Sequence, residues 1–292
     1  MRKWIISLLV AIILAQLGFI FYRQSQLSNK TAPTTQQTEE TSSLQLTETT
    51  KEPDSKPAKT EPNTKNWLSS EAEINFPILM YHSLSEGNSL RVPPAEFRQH
   101  MAWLKENDYY TLTPEEAYLV LTTNKKPAEN IVWVTFDDGY LDNYEEGFPI
   151  LKDLKMKATI NSIIKKQKSD NGFTLEQAKE MSDSGLVSIQ SHTYNHLELN
   201  QMTPAEQTEE MNSSKNFLDK NLKQDTNTLC YPVGRYDDTT IELSEKAGYK
   251  MAVTTEPGYA SASDGLFALK RVRVSPGYDG AGFGNLMTSF AY

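Results

Sequence analysis

One helix-start signature recurs three times in the middle of the chain, and it constrains the architecture more than any other feature. Thr113-Pro114-Glu115-Glu116, Thr174-Leu175-Glu176-Gln177 and Thr203-Pro204-Ala205-Glu206 each set a Thr where its hydroxyl accepts from the backbone N–H three residues on. The Glu or Gln at that third position reaches back to the cap, and two of the three carry Pro at the first helical position. Around these starts lie apolar runs of strand length: 76–81 (FPILMY), 131–136, 158–164, 186–190, 228–231, 251–254 and 269–274. Further helices are predicted over 94–107, where Phe97, Met101 and Leu104 fall at helical spacing, over 144–154, and over 238–247 ending at Gly248. Strands that alternate with helices imply a parallel sheet covered by helices. About seven strands in roughly 220 residues fit an α/β fold of the distorted (β/α) barrel kind better than an open sheet.

The chain ahead of this unit reads differently. Met1-Arg2-Lys3 is basic, and Trp4 to Tyr22 is apolar apart from Ser7 and Gln16. About 19 residues at 1.5 Å each reach roughly 28 Å, near a bilayer core of about 30 Å. The run has no convincing cleavage site, so residues 1–23 are expected to be an uncleaved transmembrane signal anchor. Arg2 and Lys3 would then stay in the cytoplasm, and the rest of the chain would lie outside the cell membrane. Residues 24–70, rich in Thr, Ser, Gln, Glu, Lys and Pro, are expected to be a disordered linker. The folded domain is expected over 71–292. The net charge of -9 argues against nucleic acid as a partner. A single cysteine, Cys230, excludes an intramolecular disulfide and a Cys-rich zinc site.

The polar residues that stand out follow strand C-terminal ends, the active-site face of such sheets: His82, Asp137, Asp138, His192, His196 and the Pro232-Val233-Gly234 turn. Two adjacent acids after the buried run 131–136 are costly unless something compensates them. In a straight strand they would point to opposite faces, and Gly139 allows a turn that could aim both into one pocket. His192 and His196 are spaced i, i+4, which would place both imidazoles on one face of a helical turn, as metal ligands require. Two His and one carboxylate hold a divalent ion with positions left open, while the second carboxylate can take a proton.

TFDDGY (135–140) and SHTYNH (191–196) resemble the first two motifs of the NodB-homology polysaccharide deacetylases, carbohydrate esterase family four, over roughly residues 75–275. The resemblance implies a distorted (β/α) barrel that removes acetyl groups from polysaccharide using a divalent metal, zinc first, with cobalt or nickel as alternatives. It implies Asp137 as general base and Asp138, His192 and His196 as metal ligands. The third motif, usually R-x-P-Y-G, reads Cys230-Tyr231-Pro232-Val233-Gly234 here. Val233 would supply the oxyanion N–H. The Arg that usually holds the base is missing, and Arg235, close in sequence, is the candidate to replace its charge. The late L-x-H motif reads Leu269-Lys270-Arg271, without its histidine.

His82 and His100 remain to act as general acid. His100 reads as a partly exposed structural histidine in a helix. His82 follows the first strand, which neighbours the last in a closed barrel, so His82 is expected to be the acid. The opening PILMYH also resembles the poly-N-acetylglucosamine deacetylases, a subgroup with this rearranged acid. Tyr140 and Tyr236 are candidates to stack on sugar rings, whereas mid-strand Trp133 reads as core. Lys165-Lys166-Gln167-Lys168 reads as a solvated loop. The leading expectation is a membrane-anchored, extracytoplasmic N-deacetylase of N-acetylglucosamine-containing polysaccharide. Peptidoglycan N-deacetylation, acetyl-xylan-type O-deacetylation and non-catalytic binding of wall carbohydrate are the alternatives.

Overall fold

The computed structural model describes residues 62–289. The expected anchor over 1–23 and most of the expected linker lie outside the described residues. Among the described residues, no helix is long and apolar enough to cross a membrane. Order begins before residue 71: Leu68–Ser69 pairs antiparallel with Lys125–Lys126.

Seven strands form the centre: β1 (Ile78–Tyr81), β2 (Asn130–Asp138), β3 (Ala158–Ser162), β4 (Val187–Ser191), β5 (Thr228–Cys230), β6 (Met251–Pro257) and β7 (Leu269–Arg273). Each pairs in parallel with the next, from β2 through β7. The last strand pairs with the first, Val272 opposite Leu79, and β1 pairs in turn with β2, Ile78 opposite Trp133. The pairings therefore run round in a ring, as the expected barrel requires. The short strand Tyr109–Thr111, which the sequence reading does not anticipate, pairs with β2 outside that ring.

Alternation along each strand divides the core. Val132, Val134 and Phe136 of β2, with Leu79 of β1 and Val272 of β7, pack outward against helices. Ile131, Trp133, Ile78, Val253 and Leu269 point the other way and form a second apolar cluster with Cys230. Trp133 is fully buried there, its indole N–H donating to Thr159 at 2.7 Å.

The helices are α1 (Pro94–Glu106), α2 (Pro114–Thr123), α3 (Phe148–Leu154), α4 (Leu175–Asp183), α5 (Pro204–Leu222), α6 (Asp238–Lys246) and α7 (Gly280–Ser289). All three capping boxes form, at Thr113, Thr174 and Thr203. The expected helix over 144–154 opens with a wider turn at Asn143–Gly147 before α3. His100 is structural but fully buried, between the Tyr81 hydroxyl and the Tyr278 carbonyl.

Thr203→Ala should remove the α5 cap and cost about 1 kcal/mol. Urea unfolding of the folded unit would register it as a lower midpoint with an unchanged slope.

Candidate active site

Strand ends β1, β2, β4 and β5 deliver His82, Asp137, Asp138, His192 and Val233 to one pocket, with His196 from the loop after β4. Asp137 and Asp138 close β2 and sit opposite Asn161 and Ser162 of β3. Asp138 (φ 74°) and Gly139 (φ 76°) are both left-handed, so the chain turns sharply and both carboxylates enter the pocket. The turn starts one residue earlier than Gly139 alone would suggest.

The two carboxylates meet different partners. Asp137 is buried and receives Arg271 of β7 head-on: Nη1 donates to Oδ1 at 2.9 Å and Nη2 to Oδ2 at 2.7 Å. Asn161 donates to Oδ1 at 2.9 Å. Arg271 also donates to Thr135 Oγ1, to the Thr254 carbonyl and to Cys230 Sγ, so each of its five N–H groups has an acceptor. Burial alone would raise the Asp137 pKa. The charge and hydrogen bonds of Arg271 outweigh that and, with His192 and His82, hold the carboxyl well below the usual carboxylate range.

This corrects the expectation for Arg235, which is exposed and does not line the pocket. The guanidinium that steadies Asp137 comes from β7 and passes beside the small Cys230 side chain of β5, 3.4 Å from its Sγ. In the sequence Arg271 stands where the late motif has its histidine, and nothing local marks it as the partner of Asp137. Its place two positions from the inward-facing Leu269 signals only that it points inward.

Asp138 faces the imidazoles instead. Its Oδ1 lies 3.5 Å from His192 Nε2 and 3.7 Å from His196 Nε2, and the three ligand atoms lie within 4.8 Å of one another. The His192 Nδ1–H donates to the Cys230 carbonyl at 2.8 Å, which turns Nε2 toward Asp138 and the pocket. Burial pushes Asp138 up, but the hydrogen bond and charge of His192, with His82, take it down to about 2. Burial and the neighbouring His192 take His196 down to about 4, so it presents a neutral imidazole at pH 7. Burial pulls His192 down, but Cys230 and Asp138 beside it hold its pKa well above the ordinary value, so without an ion it keeps a proton that a bound cation would displace. With that proton gone, two imidazole nitrogens and a carboxylate are a donor set that fits a divalent first-row ion such as zinc. Asp137, His192 and Cys230 also converge within the same spacing, but Arg271 already occupies Asp137 and burial pushes the Cys230 thiol up.

The histidine segment is not the expected helical turn. Residues 192–198 form an irregular loop in which Thr193 and His196 are both left-handed at φ 62°. The buried Glu210 of α5 organises it, accepting from the backbone N–H groups of Tyr194 and Asn195 and from the Asn195 amide. The loop brings the two rings to 4.6 Å between centroids.

His82 is mostly buried, with Nε2 4.0 Å from Asp137 Oδ2. Asn143 donates to its backbone carbonyl at 2.8 Å. Burial lowers its pKa, against the pull of Asp137 and Asp138. Val233 is left-handed (φ 52°), 54% exposed, and lines the pocket. Neither Tyr140 nor Tyr236 lines it. Lys166 covers the Tyr140 ring, 3.0 Å from the centroid, and Tyr236 stacks on Tyr231 at 4.9 Å. The expectation of a solvated loop also fails for Lys166, whose half-buried ammonium lies 4.0 Å from Asp138 and is pushed down to about 8 by burial.

The family model for polysaccharide deacetylase matches residues 124–252. YxkH of Bacillus subtilis, described as a polysaccharide deacetylase, is 53% identical over 231 residues, covering 79% of this chain and 82% of the relative. The chain belongs to the polysaccharide deacetylase family. It is thus a hydrolase of a family that acts on amide bonds. The Streptococcus pyogenes deacetylase PplD, solved in complex with acetate, is 41% identical with a TM-score of 0.71, over 74% of this deacetylase and 99% of PplD. A poly-beta-1,6-N-acetyl-D-glucosamine N-deacetylase of Staphylococcus aureus is 28% identical over 215 residues, 69% of this chain and 74% of the relative.

Replacing Arg271 by Met should strand the deacetylase's Asp137 charge in the core and cost about 3–5 kcal/mol. Urea unfolding would measure this, and an unchanged midpoint would mean that Asp137 is compensated elsewhere.

Proposed function

We propose that this chain is a metal-dependent N-deacetylase that hydrolyses the acetamido groups of N-acetylglucosamine units in a surface polysaccharide. The observation that carries the reading is the division of labour between adjacent acids. Asp138 converges with His192 and His196, while Asp137 is held apart by Arg271 beside His82. Asp138, His192 and His196 would hold the ion, with zinc the first choice. When bound, a divalent ion supplies a Lewis acid for the acetyl carbonyl and makes water more acidic.

The chain's own groups then handle the proton. Arg271 and Asn161 fix the Asp137 carboxylate so that Oδ2 faces His82. A carboxylate held so far below its ordinary value keeps its charge and carries the proton of the attacking water only briefly. His82, lowered by burial, is neutral at pH 7 in the resting enzyme rather than protonated. It therefore receives the proton from Asp137 and delivers it to the leaving sugar amine as the C–N bond breaks. The Val233 N–H faces the oxyanion that develops on the acetyl group. Acetate and a glucosamine unit result.

The Staphylococcus aureus relative supports poly-N-acetylglucosamine as the substrate class. The apolar run at 4–22 supports an anchored, single-pass protein with an extracytoplasmic catalytic domain.

Acetate release from β-1,6- and β-1,4-linked N-acetylglucosamine oligomers tests the reading. Activity should vanish with chelator and return with zinc, cobalt or nickel. Asp137→Asn should lower kcat by about 10²–10⁴-fold, and His82→Ala by a similar factor, with metal affinity retained in both. Full turnover in chelator would overturn the metal assignment, and unchanged turnover in His82→Ala would remove that residue from the proton path.

A further inference from the structure

Strand β7 sends alternate side chains to the barrel interior. Leu269 joins the inner apolar cluster, Arg271 meets Asp137, and Val272 packs outward. Arg273 is two residues beyond Arg271, so it faces inward one layer higher, at the mouth, where it lines the same pocket as Asp137, Asp138, His192 and His196. It is exposed, and among the described residues its guanidinium has no carboxylate within 4.0 Å and no hydrogen bond to the chain. Several basic groups elsewhere are paired, Arg98 with Asp153, Lys157 with Glu116, Lys215 with Asp219 and Lys270 with Asp264, while exposed Arg235 lies outside the pocket. Of the two guanidinium groups that β7 sends toward the reaction centre, Arg271 is fully paired and Arg273, at the mouth, is left open.

The size of the pocket says what meets it. At about 190 Å³ the pocket is smaller than the roughly 300–1,000 Å³ of sites that enclose a whole drug-sized ligand. It takes the acetamido end of one sugar, and the rest of the polymer crosses the rim. Charge says what kind of polymer. Asp137 is offset by Arg271, and Asp138 by its imidazoles and Lys166. Arg273 therefore adds an uncompensated positive charge to the rim. A guanidinium with five donors and no acceptor discriminates most strongly for an oxyanion, which it binds in a bidentate manner.

We propose that Arg273 is a specificity-determining residue that recognises an anionic group, phosphate or carboxylate, carried on the glycan next to the acetamido sugar undergoing hydrolysis. This rests on the deacetylase reading above and narrows it from N-acetylglucosamine polymers in general to those bearing an anion beside the reacting unit. A run of free glucosamine units, which is cationic, would be disfavoured at the same place.

The test is a binding measurement, separate from turnover. Chelator-treated protein would be titrated calorimetrically with three N-acetylglucosamine oligomers of equal length: neutral, phosphate-substituted, and carrying a uronic-acid neighbour. The expected result is about tenfold tighter binding of one or both anionic oligomers than of the neutral one. In Arg273→Gln that ratio should fall to near one, and Arg273→Lys should keep part of it. The phosphate and uronate arms identify which anion is read. Equal binding of neutral and anionic oligomers by the wild type overturns the proposal, as does a preference that survives Arg273→Gln. A merely structural role for Arg273 would weaken all three oligomers together and leave the ratio intact, which also overturns it. Acetate release from the neutral oligomer by metal-loaded protein is measured alongside, so failure there counts against the deacetylase function and not against Arg273.

Discussion

The buried ion pair between Asp137 and Arg271 is the constraint on which the rest of the site depends. A carboxylate at the centre of a barrel loses its hydration, and only a partner with matched geometry offsets that loss. Arg271 does so with two parallel N–H bonds and places its remaining donors on Thr135, Thr254 and Cys230. Three strands thereby become committed to one guanidinium. Position 230 must be small because the guanidinium passes beside it, and the Cys230 carbonyl must stay in place because it orients His192. The base and the metal ligands are thus coupled through the backbone of one short strand.

That pairing also explains why two adjacent acids can be tolerated. If both depended on the same cation, one would be protonated, as happens when like charges share a site. Here the left-handed backbone at Asp138 separates them. Asp137 takes its compensation from within the barrel, and Asp138 from the imidazoles at the rim. Each stays ionised for a different reason, so a metal at the rim need not compete with the guanidinium below it. Left-handed backbone at Asp138, Thr193, His196 and Val233 has the same origin: the loops at this end are bent to turn donors inward, and the ordered strands beneath them hold that strain.

Features carried by local pattern were legible in the sequence. Capping boxes, buried apolar runs and the acids that close β2 depend on neighbours a few residues away, and each appears where expected. The first-to-last strand adjacency also followed from barrel closure, and with it the position of His82. What was not legible depends on partners distant in sequence. Arg271 and Cys230 are 41 residues apart, and nothing local announces that a side chain from β7 passes beside β5. The spacing of His192 and His196 fits a helical turn equally well, but Glu210 on α5 competes for the backbone N–H groups that such a turn would use. Lys166 looked like one of a run of solvated lysines, yet its ammonium lies over the Tyr140 ring and beside Asp138.

Strand β7 shows how one period-2 register can carry three different tasks. Leu269 fills the apolar base of the barrel, Arg271 neutralises the carboxylate above it, and Arg273 reaches the mouth. The dielectric changes along that line from dry to wet, and the same side-chain type takes a different role at each depth. At 271 the guanidinium is fully desolvated and needs an internal anion, so it is structural and sets the state of Asp137. At 273 it remains hydrated, so holding it unpaired costs little, and its charge is free for something that arrives from solution. The irregular register between Leu269 and Arg271 marks where β7 adjusts to β6. A shift of one residue there would exchange the faces, turning Lys270 and Val272 inward and both arginines out. The position of that irregularity therefore fixes both the charge that steadies the base and the charge presented to the polymer.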